Sequence, residues 1–252
     1  MTEDHQQQKI GEAITDSGPG RTGPKLIAPV WHTVLLVSAL MLLSWLGARG
    51  RSFAPVVPHS SGRAHGHIFG YTTTIAIEWL LVAFVWCGLR LRRVRMADLM
   101  GYRGMDFLGV LRNLGIAFLF LFSSNLILAV LAILLQARNQ VVRSIVPHSR
   151  AEIALYLLLA LSAGICEEIV CRGYLQNQFG ALARNAGAGI AIQGIIFGAA
   201  HGYQGIKFMF IIGVYGCLFG LLAGWRKSLV PGMMAHALQD GIVGLIARHA
   251  VG

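Results

Sequence analysis

The sequence predicts an all-α protein, a polytopic transmembrane helix bundle of about seven to eight spans. Three observations carry that prediction. Of the 252 residues, 55% are hydrophobic and 13% are charged, against about 25% charged in ordinary soluble domains. The mean hydropathy is +0.62. The apolar residues gather in runs long enough to cross a bilayer, separated by polar or arginine-rich stretches. This composition excludes a soluble globule and a disordered chain, and four cysteines are too few for a disulfide scaffold. The 31 glycines suit helices that must approach one another closely in lipid.

Taken in order, residues 1–25 are polar, contain Gly and Pro, and lack the short apolar core of a cleaved signal peptide, so they read as a flexible tail. The run Ile27 to Gly47 has no formal charge and serves as a first span and uncleaved anchor. A loop rich in Gly, Pro, Ser and His follows. Further spans are predicted at 68–89, 114–135, 153–175, 186–201, 206–225 and 229–247. The chain thus divides into the tail, N-terminal spans with basic loops over 26–150, and C-terminal spans over 151–247.

The net charge of +10 raises nucleic acid as a partner, but its distribution argues against one. The arginines cluster between apolar runs, most densely at Arg90, Arg92, Arg93, Arg95, Arg103 and Arg112. With the N-terminus in the cytoplasm, alternating spans place 13 Lys and Arg residues inside and eight outside, which the positive-inside rule favours without enforcing. The Arg90 to Arg95 cluster also suits anionic lipid headgroups. Cys87, Cys166, Cys171 and Cys217 sit in or beside apolar runs without a Cys-x-x-Cys spacing and read as packing residues.

Most spans are apolar all round, so the polar exceptions carry the functional information. In Ile165-Cys166-Glu167-Glu168-Ile169-Val170-Cys171-Arg172, Glu168 and Arg172 share a helix face with the acid on the N-terminal side, the favourable pairing direction. Glu167 points about 100° away and is left available for chemistry. In Phe197-Gly198-Ala199-Ala200-His201, Phe197 and His201 share a face. His236 and Asp240 again lie one turn apart.

The polar, glycine-dotted stretch from Gln176 to Gly187 predicts the tip of an antiparallel helical hairpin near residue 183. Glu167 lies 16 residues before that point and His201 lies 18 after it, so the two should meet at one depth, roughly 24 to 27 Å from the tip. His236 starts about five residues past Pro231, and its level relative to the hairpin is left open. A carboxylate, two imidazoles and a second acid in a low-dielectric cavity suit water activation. Glu167 would take a proton from water, His201 would hold that water or share its proton, His236 would polarise a carbonyl, and Asp240 would orient His236. The same set opens a second route, a Zn²⁺ ion held by His201, His236 and Asp240. No His-Glu-x-x-His motif is present, so the cofactor is either none or Zn²⁺.

The three blocks Glu167-Glu168-x-x-x-Arg172, Phe197-x-x-x-His201 and His236-x-x-x-Asp240 resemble, in order and spacing, the signature of the CPBP family of intramembrane proteases. That family groups CAAX-type prenyl-protein endopeptidases with bacteriocin-processing and immunity-type (Abi) proteins. The resemblance covers about residues 150–246 and implies a multi-helix bundle in the cell membrane with a peptide-hydrolysing site inside it. It implies Glu167 as water-activating base, His201 as its partner, His236 and Asp240 on the oxyanion or metal side, and a membrane-associated protein or peptide as substrate. Where a relative carries Asn at the last position, its amide donates to an oxyanion, whereas an ionised Asp240 only accepts. The resemblance does not choose between glutamate-type and metal-dependent chemistry, and it leaves the oligomeric state open.

Two other classes compete. Intramembrane Glu and His also form relays in proton- or ion-coupled transporters, although no internal duplication of the transporter kind is visible. A catalytically silent immunity or scaffold protein is the third reading. Of the remaining polar residues, Glu78 reads first as a structural partner within its span and second as a substrate contact. Asn125 reads as an interhelical hydrogen-bonder. His59, His65 and His67 sit in a loop without further ligand-type residues, so metal binding is not expected there.

Overall fold

A computed structural model describes residues 25–53, 62–101, 104, 106–137 and 146–251. The expected tail up to residue 24 falls outside the described residues, as do His59, Arg103, Arg138 and Arg143. The described chain is helical throughout, with no strand among the described residues. Its elements are α1 (Val30–Phe53), α2 (Gly62–Leu91), the short α3 (Met96–Met100), α4 (Phe107–Leu134) and α5 (Arg150–Glu167). A π-helical segment (Glu168–Leu175) continues α5 into α6 (Gln176–Ala183), and α7 (Ala186–Ala200), a 3-10 turn (Gly202–Gln204), α8 (Ile206–Arg226) and α9 (Val230–Val251) complete the chain.

Local sequence sets the starts and stops of these helices. Asp106 caps α4 by accepting from the Gly109 amide at 2.8 Å, and Ser149 caps α5 by accepting from the Glu152 amide at 3.2 Å. Glu152 reaches back in turn to the His148 amide at 2.8 Å, so the donors that every helix leaves unpaired at its N-terminus are met here by side chains. The predicted hairpin turn is present. Arg184 ends α6 in the left-handed region with φ 51°, and Asn185 caps α7 by accepting from the Ala188 amide at 3.1 Å. The two helices then run back against each other.

Among the described residues, five helical stretches are long and apolar enough to cross a membrane: Val30–Arg49, His67–Leu91, Phe107–Leu134, Arg150–Ala183 and Ile206–Arg226. The predicted span at 153–175 is therefore the middle of a longer continuous rod. The runs predicted at 186–201 and 229–247 also fold as helices, but with different characters. α7 has 15 residues, about 22 Å of helix against about 30 Å of hydrocarbon. α9 interrupts its apolar run with His236, Gln239 and Asp240.

The bundle is built around the α5–α6 rod. α2 and α9 pack against α5, α7 packs against α6, α8 packs against α7, and α4 lies along α9. Small residues permit the closest approaches, as helix association in lipid requires. A Cβ on Gly164 of α5 would stand 2.7 Å from the backbone nitrogen of Ala237 in α9. Gly198 of α7 lies against the Met209 carbonyl of α8 in the same way. The expected interhelical bond of Asn125 is reciprocal: its amide nitrogen donates to Gln239 Oε1 at 2.8 Å, and Gln239 Nε2 donates back at 3.1 Å.

Chain direction sorts the polar ends. The Val94–Gly101 stretch, the Arg184 turn and Lys227 gather at one end, where the Leu229 amide donates to the Met100 carbonyl at 3.0 Å. His67 meets Glu152 and Lys207 meets the Gln136 carbonyl at the other. The arginine-rich stretch following α2 therefore shares its end of the bundle with the hairpin tip.

Candidate active site

Glu167 is the last residue of α5 and Glu168 the first of the π-helical segment, so the two acids straddle a change in helix type. π-turns inside α-helices are rare and are frequent at functional sites. Their environments differ as the sequence spacing indicates. Glu168 is fully buried and pairs with Arg172, Oε1 to Nη1 at 2.9 Å. Glu167 keeps 27% of its side chain exposed and lines a cavity within the bundle.

Arg172 is held on several sides. Its guanidinium lies over the ring of Phe197 at 4.3 Å and that of Phe219 at 4.8 Å, and Nη2 donates to the Gly216 carbonyl at 3.3 Å. Phe197 thus covers one face of the guanidinium. Phe219 supplies a second aromatic face that spacing alone does not reveal, because it comes from α8, outside the three blocks.

The cavity measures about 80 Å³, more than one water molecule needs. Its lining includes two carboxyl groups and an imidazole, Glu167 from α5, Glu78 from α2 and His201 from the end of α7, beside the thiols of Cys166 and Cys171 and set among Leu40, Leu81, Val170 and Phe197. The equal-depth expectation for Glu167 and His201 is met: 17 residues on either side of Arg184, both border one space. His201 Nδ1 lies 2.8 Å from the Phe197 carbonyl. A carbonyl only accepts, so Nδ1 carries the proton, and in the neutral ring Nε2 is the acceptor.

His236 sits on the far side of Glu167, buried at 5% exposure. Its Nε2 is 3.5 Å from Glu167 Oε2 and 3.7 Å from Asp240 Oδ2. Its Nδ1 is 3.3 Å from Glu168 Oε1, the same oxygen that pairs with Arg172. This departs from the expected arrangement, in which Asp240 orients His236. The carboxylate that fixes the ring is Glu168, while Asp240 stands one turn along at a distance too long for a hydrogen bond. Gly232 makes room for this link, since a Cβ there would stand 2.8 Å from Glu168 Oε2.

The zinc reading expects His201, His236 and Asp240 to converge. Among the described residues, no three His, Cys, Asp or Glu side chains are grouped so as to hold a metal ion. As placed, the trio does not share one coordination point. Glu78, first read as structural, borders the cavity and accepts a hydrogen bond from Ser162 Oγ at 2.7 Å. Ser162 carried no sequence signal. Its role depends on α2 and α5 running side by side.

Comparison with known proteins adds to this geometry. Residues 149–242 match the family model described as Type II CAAX prenyl endopeptidase Rce1-like. This part of the chain is similar to the Rce1-like family. The matched segment contains Glu167, Glu168, Arg172, Phe197, His201, His236 and Asp240, and it stops short of Glu78 and all of α1 to α4. No curated protein and no solved structure matches the chain. That similarity points to protease activity on membrane-associated peptides, and the long apolar helices fit a membrane protein.

Proposed function

We propose that this Rce1-like protein is an intramembrane endopeptidase in which Glu167 and His201 activate a water molecule against a peptide bond. The observation that supports this most directly is the shared cavity. A partly exposed carboxylate and an imidazole, brought from two antiparallel helices, border one space large enough for water.

In this reading water donates one hydrogen bond to His201 Nε2 and loses its other proton to the Glu167 carboxylate. The hydroxide oxygen bonds to the scissile carbonyl carbon, and the carbonyl electrons move onto oxygen. His236, in its protonated form, presents Nε2–H to that oxyanion while Nδ1–H remains donated to Glu168. The tetrahedral intermediate collapses with cleavage of the carbon–nitrogen bond. The proton held by Glu167 passes to the departing amine, which regenerates the carboxylate. Asp240, ionised, accepts from solvent and donates nothing to the oxyanion.

The substrate class that the family description favours is a prenylated peptide or protein tail of Cys-a-a-X type. The charge distribution supports one orientation. The end bearing the Arg90 to Arg95 stretch, the Arg184 turn and Lys227 faces the cytoplasm of the cell, and the 26–150 helices together with 151–247 form one working unit. The test is product analysis. Purified protein in liposomes is given farnesylated and unprenylated Cys-a-a-X peptides, and products are identified by mass spectrometry. Cleavage within the farnesylated tail supports the reading. Intact peptides of both kinds, with uncleaved protein substrates as well, overturn it.

A further inference from the structure

We propose that Glu78 is a positioning carboxyl of the hydrolytic site, contributed by α2 from outside the Rce1-like segment, that holds the water network facing Glu167. The proposal rests on the hydrolytic reading above and extends it to the N-terminal half of the chain.

Four observations support it. Glu78 lies in the middle of a span, where an ionisable side chain is costly and usually functional. It is 8% exposed, yet among the described residues it has no Lys, Arg or His ion-pair partner. Its hydrogen bond comes from a neutral hydroxyl, Ser162 Oγ at 2.7 Å. A carboxyl kept for structure alone is ordinarily paired with a cation, as Glu168 is with Arg172. Finally, Glu78 borders the same cavity of about 80 Å³ as Glu167 and His201.

The Ser162 bond engages Oε2 and fixes the carboxyl group, leaving Oε1 for solvent in the cavity. Ser162 lies five residues before Glu167 on the same helix, so any shift of α5 moves the base and this anchor together. The attacking water is then bounded by three polar groups from three helices: Glu167, His201 and Glu78. Confined on three sides, it is presented in one orientation, and such positioning lowers the barrier without altering substrate binding.

The experiment compares wild type, Glu78→Gln, Ser162→Ala and Glu167→Gln in liposomes, using the farnesylated quenched-fluorescence peptide. Glu78→Gln keeps the shape and can still accept from Ser162. The expected result is a kcat lowered about 10²-fold with KM and melting temperature unchanged. Ser162→Ala frees the carboxyl and should lower kcat about tenfold at constant KM. A kcat for Glu78→Gln within twofold of wild type overturns the proposal. If that variant does not fold, an unchanged kcat in Ser162→Ala overturns it.

A readout independent of cleavage accompanies these. The infrared carboxyl band that disappears in Glu78→Gln should shift in Glu167→Gln, because one water network joins the two groups. A band unmoved by Glu167→Gln overturns the proposal. Failure of the parent reading looks different: Glu167→Gln would then cleave like wild type, whatever Glu78→Gln does.

Discussion

Glu168 places Oε1 3.3 Å from Nδ1 of His236, across 68 residues of sequence, while the same oxygen pairs with Arg172 at 2.9 Å. One buried carboxylate therefore joins the first and third sequence blocks. It also explains why two adjacent acids occur in one apolar helix. Glu168 organises the second imidazole, and Glu167 is left to face the cavity.

Removing the charge of Glu168 should accordingly have two effects. In Glu168→Gln the buried Arg172 loses its counter-ion, and breaking one partner of a buried pair costs about 3–5 kcal/mol. Thermal unfolding in detergent should show a markedly lower midpoint, and the folded fraction should cleave more slowly than wild type. A variant of unchanged stability would show that Arg172 is compensated elsewhere.

Arg172→Lys tests the aromatic clamp. The planar guanidinium lies over Phe197 at 4.3 Å and Phe219 at 4.8 Å, and a lysine ammonium cannot reproduce both faces and the bond to Gly216. A stability loss of about 2 kcal/mol is expected from a desolvated cation–π site, measured by denaturant titration in mixed micelles. Equal stability of the lysine variant would mean that charge alone suffices.

Two glycine substitutions should fail in different ways. In Gly232→Ala the new Cβ meets the end of a side chain, Glu168 Oε2 at 2.8 Å, so the carboxylate is pushed off its contacts. The expectation is a folded protein with kcat reduced about tenfold or more, as misplacing a positioned group does. In Gly164→Ala the Cβ meets backbone, Ala237 N at 2.7 Å, and nothing flexible can yield. That variant should lose stability first. Reversal of the two outcomes in parallel melting and activity assays would contradict the packing described.

Metal removal bears on the cofactor. Without a step through a metal, dialysis against a strong chelator should leave cleavage of the farnesylated peptide within about twofold of its starting rate. Loss of activity restored by Zn²⁺ alone would require His201, His236 and Asp240 to move together from where they stand.

Much of this site is legible in the sequence because its first half is local. The Glu168–Arg172 pair is a one-turn spacing, and the meeting of Glu167 with His201 follows from counting residues along two arms of a hairpin whose tip is marked by polar residues and glycines. The Asn125 bond was similarly visible as a polar group with nowhere else to turn. What spacing does not show are contacts between distant helices that are apolar all round. Nothing in α8 distinguishes Phe219 from its neighbours, and nothing in α2 says that Glu78 faces inward to Ser162 rather than toward another helix. The π-helical turn is hidden for a different reason, since Glu168 and Arg172 remain neighbours in either helix type. The one-turn spacing points to Asp240 as the partner that orients His236, whereas the tertiary partner Glu168 stands closer, at 3.3 Å against 3.7 Å.

The central claim is that Glu167 removes the proton from the attacking water. The most direct measurement is the single-turnover cleavage rate of Glu167→Gln in liposomes, with enzyme in excess over the farnesylated peptide and folding verified by its melting temperature. The side chain keeps its size but can no longer accept that proton, so the rate should fall by about 10² to 10⁴-fold while the peptide still binds. A folded Glu167→Gln protein that cleaves at the wild-type rate would contradict the account.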